Sequence, residues 1–191
     1  MAFRPRRSPE AARRWQTVPR EGEPLHKMGF LTIGRFDPAD PGTGHEELLR
    51  TIELAEELGF DSVWLRHRHL QFGISSPVAV LAAASQRTSR IELGTAVIPL
   101  GLENPLRLAE DLATVDLLSG GRLNPGVSVG TPMRYEDFKH KLYPETHAQE
   151  NFSKDRVIRL MDNIRGVPVS DFEGTVGIEQ YSRIVDRKSV V

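Results

Sequence analysis

Four consecutive residues, Arg66-His67-Arg68-His69, place two imidazoles and two guanidinium groups directly after the apolar run Ser62-Val63-Trp64-Leu65. Imidazole gives or takes a proton near neutral pH, whereas guanidinium stays charged and binds oxyanions. If the strand continues through the tetrad, alternation puts His67 and His69 on one face and Arg66 and Arg68 on the other. Three readings stay open. His67 can transfer protons beside a bound ligand, the tetrad can be a solvated loop, or His67 and His69 can begin a metal-dependent hydrolase site. The further ligands that the last reading needs are not visible, so no metal ligands are assigned.

Composition narrows the chemistry. The chain of 191 residues has no Cys, which removes disulfides, thiolate metal sites and a cysteine nucleophile, and suits a reducing cytoplasm. A net charge of −1 gives no global field for nucleic acid or a membrane surface, so a small-molecule partner recognised locally is expected. The longest apolar stretch, Pro77 to Ala84, is far shorter than a membrane span. Neither a dinucleotide-binding glycine fingerprint, a phosphate loop nor a serine nucleophile elbow is read. Glu53, Glu56, Glu57, Asp111 and Asp116 are expected to be solvated or ion-paired surface groups.

The elements that must position the tetrad follow from periodicity. Met28 to Ile33 reads as a first strand, followed by a loop rich in Pro, Gly and Asp from Asp37 to Gly44. Leu48, Ile52, Ala55 and Leu58 recur at helical spacing, and Gly59 stops that helix. Ser62 to Leu65 is the second strand. Ser76-Pro77 starts a helix that ends near Arg87-Thr88, with Pro at the first helical position, where its missing donor costs nothing. Ile91 to Pro99 is the third strand, and Asn104-Pro105 opens a helix running to Leu118. The fourth strand is Leu123 to Val129, closed by Gly130-Thr131-Pro132. The polar, aromatic stretch from Met133 to Glu150 is expected to be a loop over a site, before a helix from about Gln149 to Arg165 and a hairpin turning at Glu173-Gly174. Parallel strands alternating with helices predict an α/β fold, either a barrel or an open sheet.

Several of these segments carry a family resemblance. Phe60-Asp61-Ser62-Val63-Trp64-Leu65, Ser76-Pro77 with Leu81-Ala82-Ala83-Ala84, Arg87 to Val97, Pro105 with Arg107-Leu108-Ala109-Glu110-Asp111, and Leu118-Ser119-Gly120-Gly121-Arg122 resemble the bacterial luciferase-like flavin-dependent oxidoreductases over residues 28 to 182. The resemblance implies a (β/α)8 barrel of the TIM type that binds FMN or F420 at the C-terminal ends of its strands. Members insert one oxygen atom from O2 using reduced FMN, or transfer a hydride with F420. His67 matches the family's proton-transfer His, while Arg66 stands where a carboxylate is common. Ile33 and Gly34 at the end of the first strand fall among the cofactor contacts. Ala96 and Val97 match the residues that back the isoalloxazine ring, often through a cis bond. Ser128, Gly130 and Thr131 match the segment beside the reactive edge, and Val129 replaces an Arg that several relatives direct to the phosphate.

The same resemblance sets expectations for organisation. A barrel of this kind needs about 250 residues, so the chain reads as the N-terminal half, truncated after four βα units. Residues 1–27, rich in Arg and Pro, read as a disordered extension, and residues 183–191 as a tail unlike the family. Unpaired strand edges favour self-association or a homodimer, and FMN use implies a separate flavin reductase. The alternative reading is a catalytically silent half-barrel that serves as an interaction module.

Overall fold

The computed structural model describes residues 26–172 and 182–184. The expected disorder of residues 1–27 and the turn at Glu173-Gly174 therefore lie almost wholly outside the described residues.

Strands β1 (Gly29–Thr32), β2 (Ser62–Leu65), β3 (Glu92–Thr95) and β5 (Leu123–Asn124) form one parallel sheet in sequential order. Helix α1 (Pro41–Glu57) connects β1 to β2, α2 (Pro77–Arg87) connects β2 to β3, and α3 (Pro105–Leu118) returns the chain to β5. A sequential order has no reversal point, so the sheet is of the barrel kind and not a doubly wound open sheet. Each helix starts where a short polar side chain meets Pro. Asp40 accepts from Thr43 N at 3.2 Å, Ser76 from Ala79 N at 3.4 Å, and Asn104 from Leu106 N at 2.9 Å.

Register assigns each side chain to a face. Val63 and Leu65 of β2 and Leu93 of β3 are fully buried against Leu48 and Ile52 of α1 and Leu81 of α2, which is the main core. The other face carries Leu31, Trp64, Gly94 and Asn124 in one row across the four strands. A Cβ on Gly94 would lie 2.4 Å from the Trp64 ring, so glycine is what lets the indole lie across β3. Leu31, at the edge of this row, is 54% exposed.

Four expectations need correction. The loop expected over Asp37 to Gly44 is already helical from Pro41, and the third strand expected over Ile91 to Pro99 breaks after Thr95. The single fourth strand is split into β5 and β6 (Val127–Ser128), and β6 pairs instead with the short β4 (Ile98–Pro99) in a second sheet. Pro125 stands at the break, where it has no N–H to offer a ladder. The stretch from Met133 to Glu150 is not a plain loop. It contains α4 (Tyr135–Leu142), and the helix expected from Gln149 begins only at Asp155, as α5 (Asp155–Arg165). Asn151 and Ser153 hold a turn in between, accepting from Ser153 N at 2.8 Å and Asp155 N at 3.2 Å. A second core joins Leu108 and Leu112 of α3, Leu160 of α5, Ile98, Leu100 and Ile184.

Candidate active site

Strand β2 ends at Leu65, so pleat alternation does not govern the tetrad. One further ladder bond, Arg66 N to Thr32 O at 3.0 Å, is made before the chain leaves the sheet. The loop then folds back onto β1: Arg68 N donates to Ile74 O at 2.7 Å and Ile74 N to Ile33 O at 3.1 Å. Gly34 lies under this crossing with φ +52°. A Cβ there would meet Ile74 at 2.5 Å and Leu48 at 2.8 Å, so its role in the site is to let the loop close.

The His67 ring is half-buried, and both its nitrogens are shielded from solvent without a hydrogen-bond partner. Burial holds its pKa below the ordinary histidine value, the neighbouring charge of His69 adds to this, and the Ser75 backbone opposes it. Burial and His69 thus both favour the neutral imidazole at His67. The His69 ring stands 5.8 Å away at 86°. Arg66 is exposed.

On the next strand, Ala96 N donates to Leu65 O at 2.8 Å, which brings Ala96 and Val97 level with Arg66 and His67. The Ala96–Val97 peptide bond is cis, and Val97 is 37% exposed. Thr95 and Gly126 then lock the two sheets together. The Thr95 hydroxyl donates to Gly126 O at 2.8 Å, and Gly126 N donates to Thr95 O at 3.1 Å. Ser128 is half-buried in β6, while Gly130 and Thr131 lie exposed beyond it, with Gly130 N donating to Phe152 O at 2.9 Å. Of the expected contacts, the structure places Ile33, Arg66, His67, Ala96 and Val97 along one set of strand ends. Ser128, Gly130 and Thr131 continue from the next unit.

Several features of the site are not evident from spacing alone. Gly126-Val127-Ser128-Val129-Gly130 spells the letters of a serine nucleophile elbow. However, Ser128 lies within a strand in register with Pro99, and α4 starts only at Tyr135. The sharp strand-to-helix turn that exposes such a serine is missing. Helix α4 reaches the tetrad: Phe138 packs 5.4 Å from the His69 ring, and Tyr135 packs on Phe152 at 4.9 Å. Arg156, 3% exposed, holds this excursion by donating to Asn151 O at 2.6 Å, Leu100 O at 3.1 Å and Glu103 O at 2.9 Å, and by pairing with Glu150. Its spacing of four from Leu160 on an apolar stripe was the available signal. Burial, with Asp111 adding, pushes the Glu103 carboxyl up to about 7. Among the described residues, no group of three or more His, Asp or Glu is placed to hold a metal ion, so the His67 and His69 pair has no third ligand there.

Residues 27–149 match the model of the luciferase-like monooxygenase family, which is more than half of the chain. The chain belongs to the luciferase-like monooxygenases. This luciferase-like chain is 37% identical over 113 residues to 4-hydroxyprotoasukamycin monooxygenase of Streptomyces nodosus subsp. asukaensis, covering 56% of itself and 27% of the relative. It is 33% identical over 152 residues to the F420-dependent glucose-6-phosphate dehydrogenase of Amycolatopsis mediterranei, covering 76% of itself and 44% of the relative. The crystal structure of the monooxygenase RslO1 from Streptomyces bottropensis superimposes with a TM-score of 0.64 at 29% identity, covering 85% of this chain and 49% of that one. The luciferase-like chain thus spans less than half the length of these proteins.

Proposed function

We propose that the strand ends described above hold the ring of reduced FMN or of F420, and that His67 handles the protons of a redox reaction on a small-molecule substrate. The observation that carries this reading is the solvent-shielded, unpartnered His67 imidazole standing level with Ile33, Ala96 and Val97. A flat, largely uncharged ring fits such a wall, since these three side chains are apolar and Ala96 adds little bulk. The Arg66 guanidinium, in place of the family's carboxylate, favours an anionic ring. Val129 offers a phosphate no charge. When bound, the cofactor supplies electrons for oxygen insertion or a hydride for transfer.

The chain's own groups set the conditions for that chemistry. His67, held neutral at pH 7, takes a proton on whichever ring nitrogen faces the reacting atom. Leu31 and Trp64 present apolar surface along the inner face, and Phe138 on His69 brings α4 to the mouth, where it limits water. Reduced FMN would come from a separate reductase in the cytoplasm, whereas F420 use needs no O2. Exposed Leu54 and Leu58, at the end of α1, offer surface to a second copy.

The test is direct titration of the chain with reduced FMN and with F420, followed by absorbance and fluorescence. Saturable spectral change with one cofactor is expected, and His67→Ala should keep binding while losing at least tenfold in the rate of any proton-coupled step. No spectral change at millimolar cofactor would remove the enzyme reading and leave the silent half-barrel.

A further inference from the structure

Beside His67 lies a groove of about 420 Å³ lined by Ile33, Arg35, Arg68, Leu70, Gln71 and Phe72. Its lining combines two guanidinium groups with apolar walls and, among the described residues, no carboxylate. Among the described residues, the exposed Arg35 has no ion pair or hydrogen bond. Arg68 reaches only Gln71 Oε1, at 3.4 Å, and its Nε is buried without a partner. A buried donor left unpaired costs free energy that an incoming acceptor recovers.

The walls are presented to the groove and not tucked into the core. Leu70 is 75% exposed and Phe72 64% exposed, although Phe72 is braced edge-on by Phe36 at 6.5 Å. Leu70 also has φ +55°, a conformation that a bulky residue rarely adopts and that clusters at ligand clamps. Gly73 packs against the Arg68 stem, where a Cβ would lie 3.1 Å from Cγ and 2.8 Å from Ile33 O. The loop therefore fixes the Arg68 side chain close to the end of β1.

We propose that Arg35 and Arg68 bind the oxyanion of a small organic acid whose apolar body lies on Leu70 and Phe72. Two guanidinium groups match an oxyanion through paired N–H donors, while the apolar walls prefer a hydrocarbon chain or ring over a bare ion. Only the assignment of this acid as substrate rests on the flavin reading. Binding of the acid does not.

The experiment is calorimetric titration of the full chain with octanoate, 1-octanol and inorganic phosphate, and separately with FMN and riboflavin. Octanoate should bind at least tenfold more tightly than 1-octanol and than phosphate, and R35Q together with R68Q should abolish that preference without changing the ratio of FMN to riboflavin affinity. R35K and R68K should retain part of it, since charge survives but the planar fork does not. Arg35 is exposed, so R35Q alone remains informative if the double variant misfolds. Equal binding of octanoate and octanol overturns the proposal. So does an unchanged preference in R35Q, or a selective loss of FMN over riboflavin, which would assign the groove to a cofactor phosphate. Octanoate binding without any flavin binding would sink the flavin reading and keep the anion site.

Discussion

The two ends of the parallel sheet differ in how completely they pair their buried polar groups. At the N-terminal end they are paired. Arg122 donates to Ser119 O, Ile91 O, Ser85 O, Thr88 O and the Thr88 hydroxyl, all at 2.7 to 2.9 Å. Glu56, expected to be an ordinary surface acid, instead accepts the backbone N–H groups of Ser89, Arg90 and Ile91 at 2.9, 2.7 and 2.6 Å. Glu92 receives Lys27 and Asn124, each at 3.3 Å. At the C-terminal end Arg156 and Thr95 are paired as well, but the buried side-chain atoms without a partner, among the described residues, lie there: both His67 nitrogens, Arg68 Nε and His147 Nδ1. Unpaired buried groups cost stability, so their segregation to one end separates the surface that holds the fold from the surface that meets ligands.

The largest effect that tests this division is expected at Arg122. Arg122→Ala leaves carbonyls of α2, the α2–β3 connection and the end of α3 without their donor. It should cost about 3 kcal/mol in urea denaturation. Octanoate and flavin affinities, measured on the protein that remains folded, should stay within twofold. A variant that unfolds no more easily yet loses ligand binding would break the comparison.

How much of this was legible depends on how local the cause is. The starts of α2 and α3 and the stop of α1 were readable because they are written in adjacent residues: Ser76-Pro77, Asn104-Pro105 and Gly59. The start of α1 at Asp40-Pro41 carries the same signal inside a stretch expected to be a loop. The β5–β6 split was also written locally, in Pro125, and was overlooked. Helix α4 was not legible, since eight mostly polar residues make a weak helix on propensity alone. It is held by Tyr135 and Phe138 against aromatic rings and by the Lys139 to Glu136 pair at 2.6 Å. Glu56 and the groove at Arg35 depend on segments more than 30 residues apart meeting in space. No spacing rule reports such a meeting. His67 was found because its neighbours in sequence are themselves unusual.

Two carboxyl groups sharpen the comparison at an intermediate scale. Burial pushes Glu56 up, but the N–H groups of Ile91, Ser89 and Arg90 outweigh it and hold its carboxyl below the usual 4.5. Its contribution is therefore present above pH 4.5 and lost as pH falls through the lowered folded-state value. Glu103, raised to about 7 by burial and then by Asp111, has the opposite sign: what it contributes is full below pH 4.5 and is lost as pH rises through about 7. Glu103→Gln should gain about 1–2 kcal/mol at pH 8, and Glu56→Gln should lose about 1 kcal/mol at pH 7 with a flatter acid limb. Denaturation across pH 3 to 9 reads both. Equal slopes in the two variants would erase the distinction between the ends.

The smallest expected stability effect belongs to the group with the largest functional one. The folded-state pKa of His67 is lowered, so the unfolded chain takes up the proton first; stability is full above about pH 6.5 and declines as pH falls through the folded value. Replacing the imidazole, which makes no hydrogen bond of normal geometry, by an apolar side chain of similar size removes a desolvation cost and forfeits at most its approach to the Ser75 backbone. His67→Leu should therefore change stability at pH 8 by less than about 0.5 kcal/mol and abolish part of the acid-side decline. An imidazole resonance that titrates below the ordinary histidine value, absent in the variant, assigns the effect to this ring. A loss of about 2 kcal/mol or more would mean that His67 is a structural group, and the C-terminal end would then be no freer for ligands than the end stitched by Arg122 and Glu56.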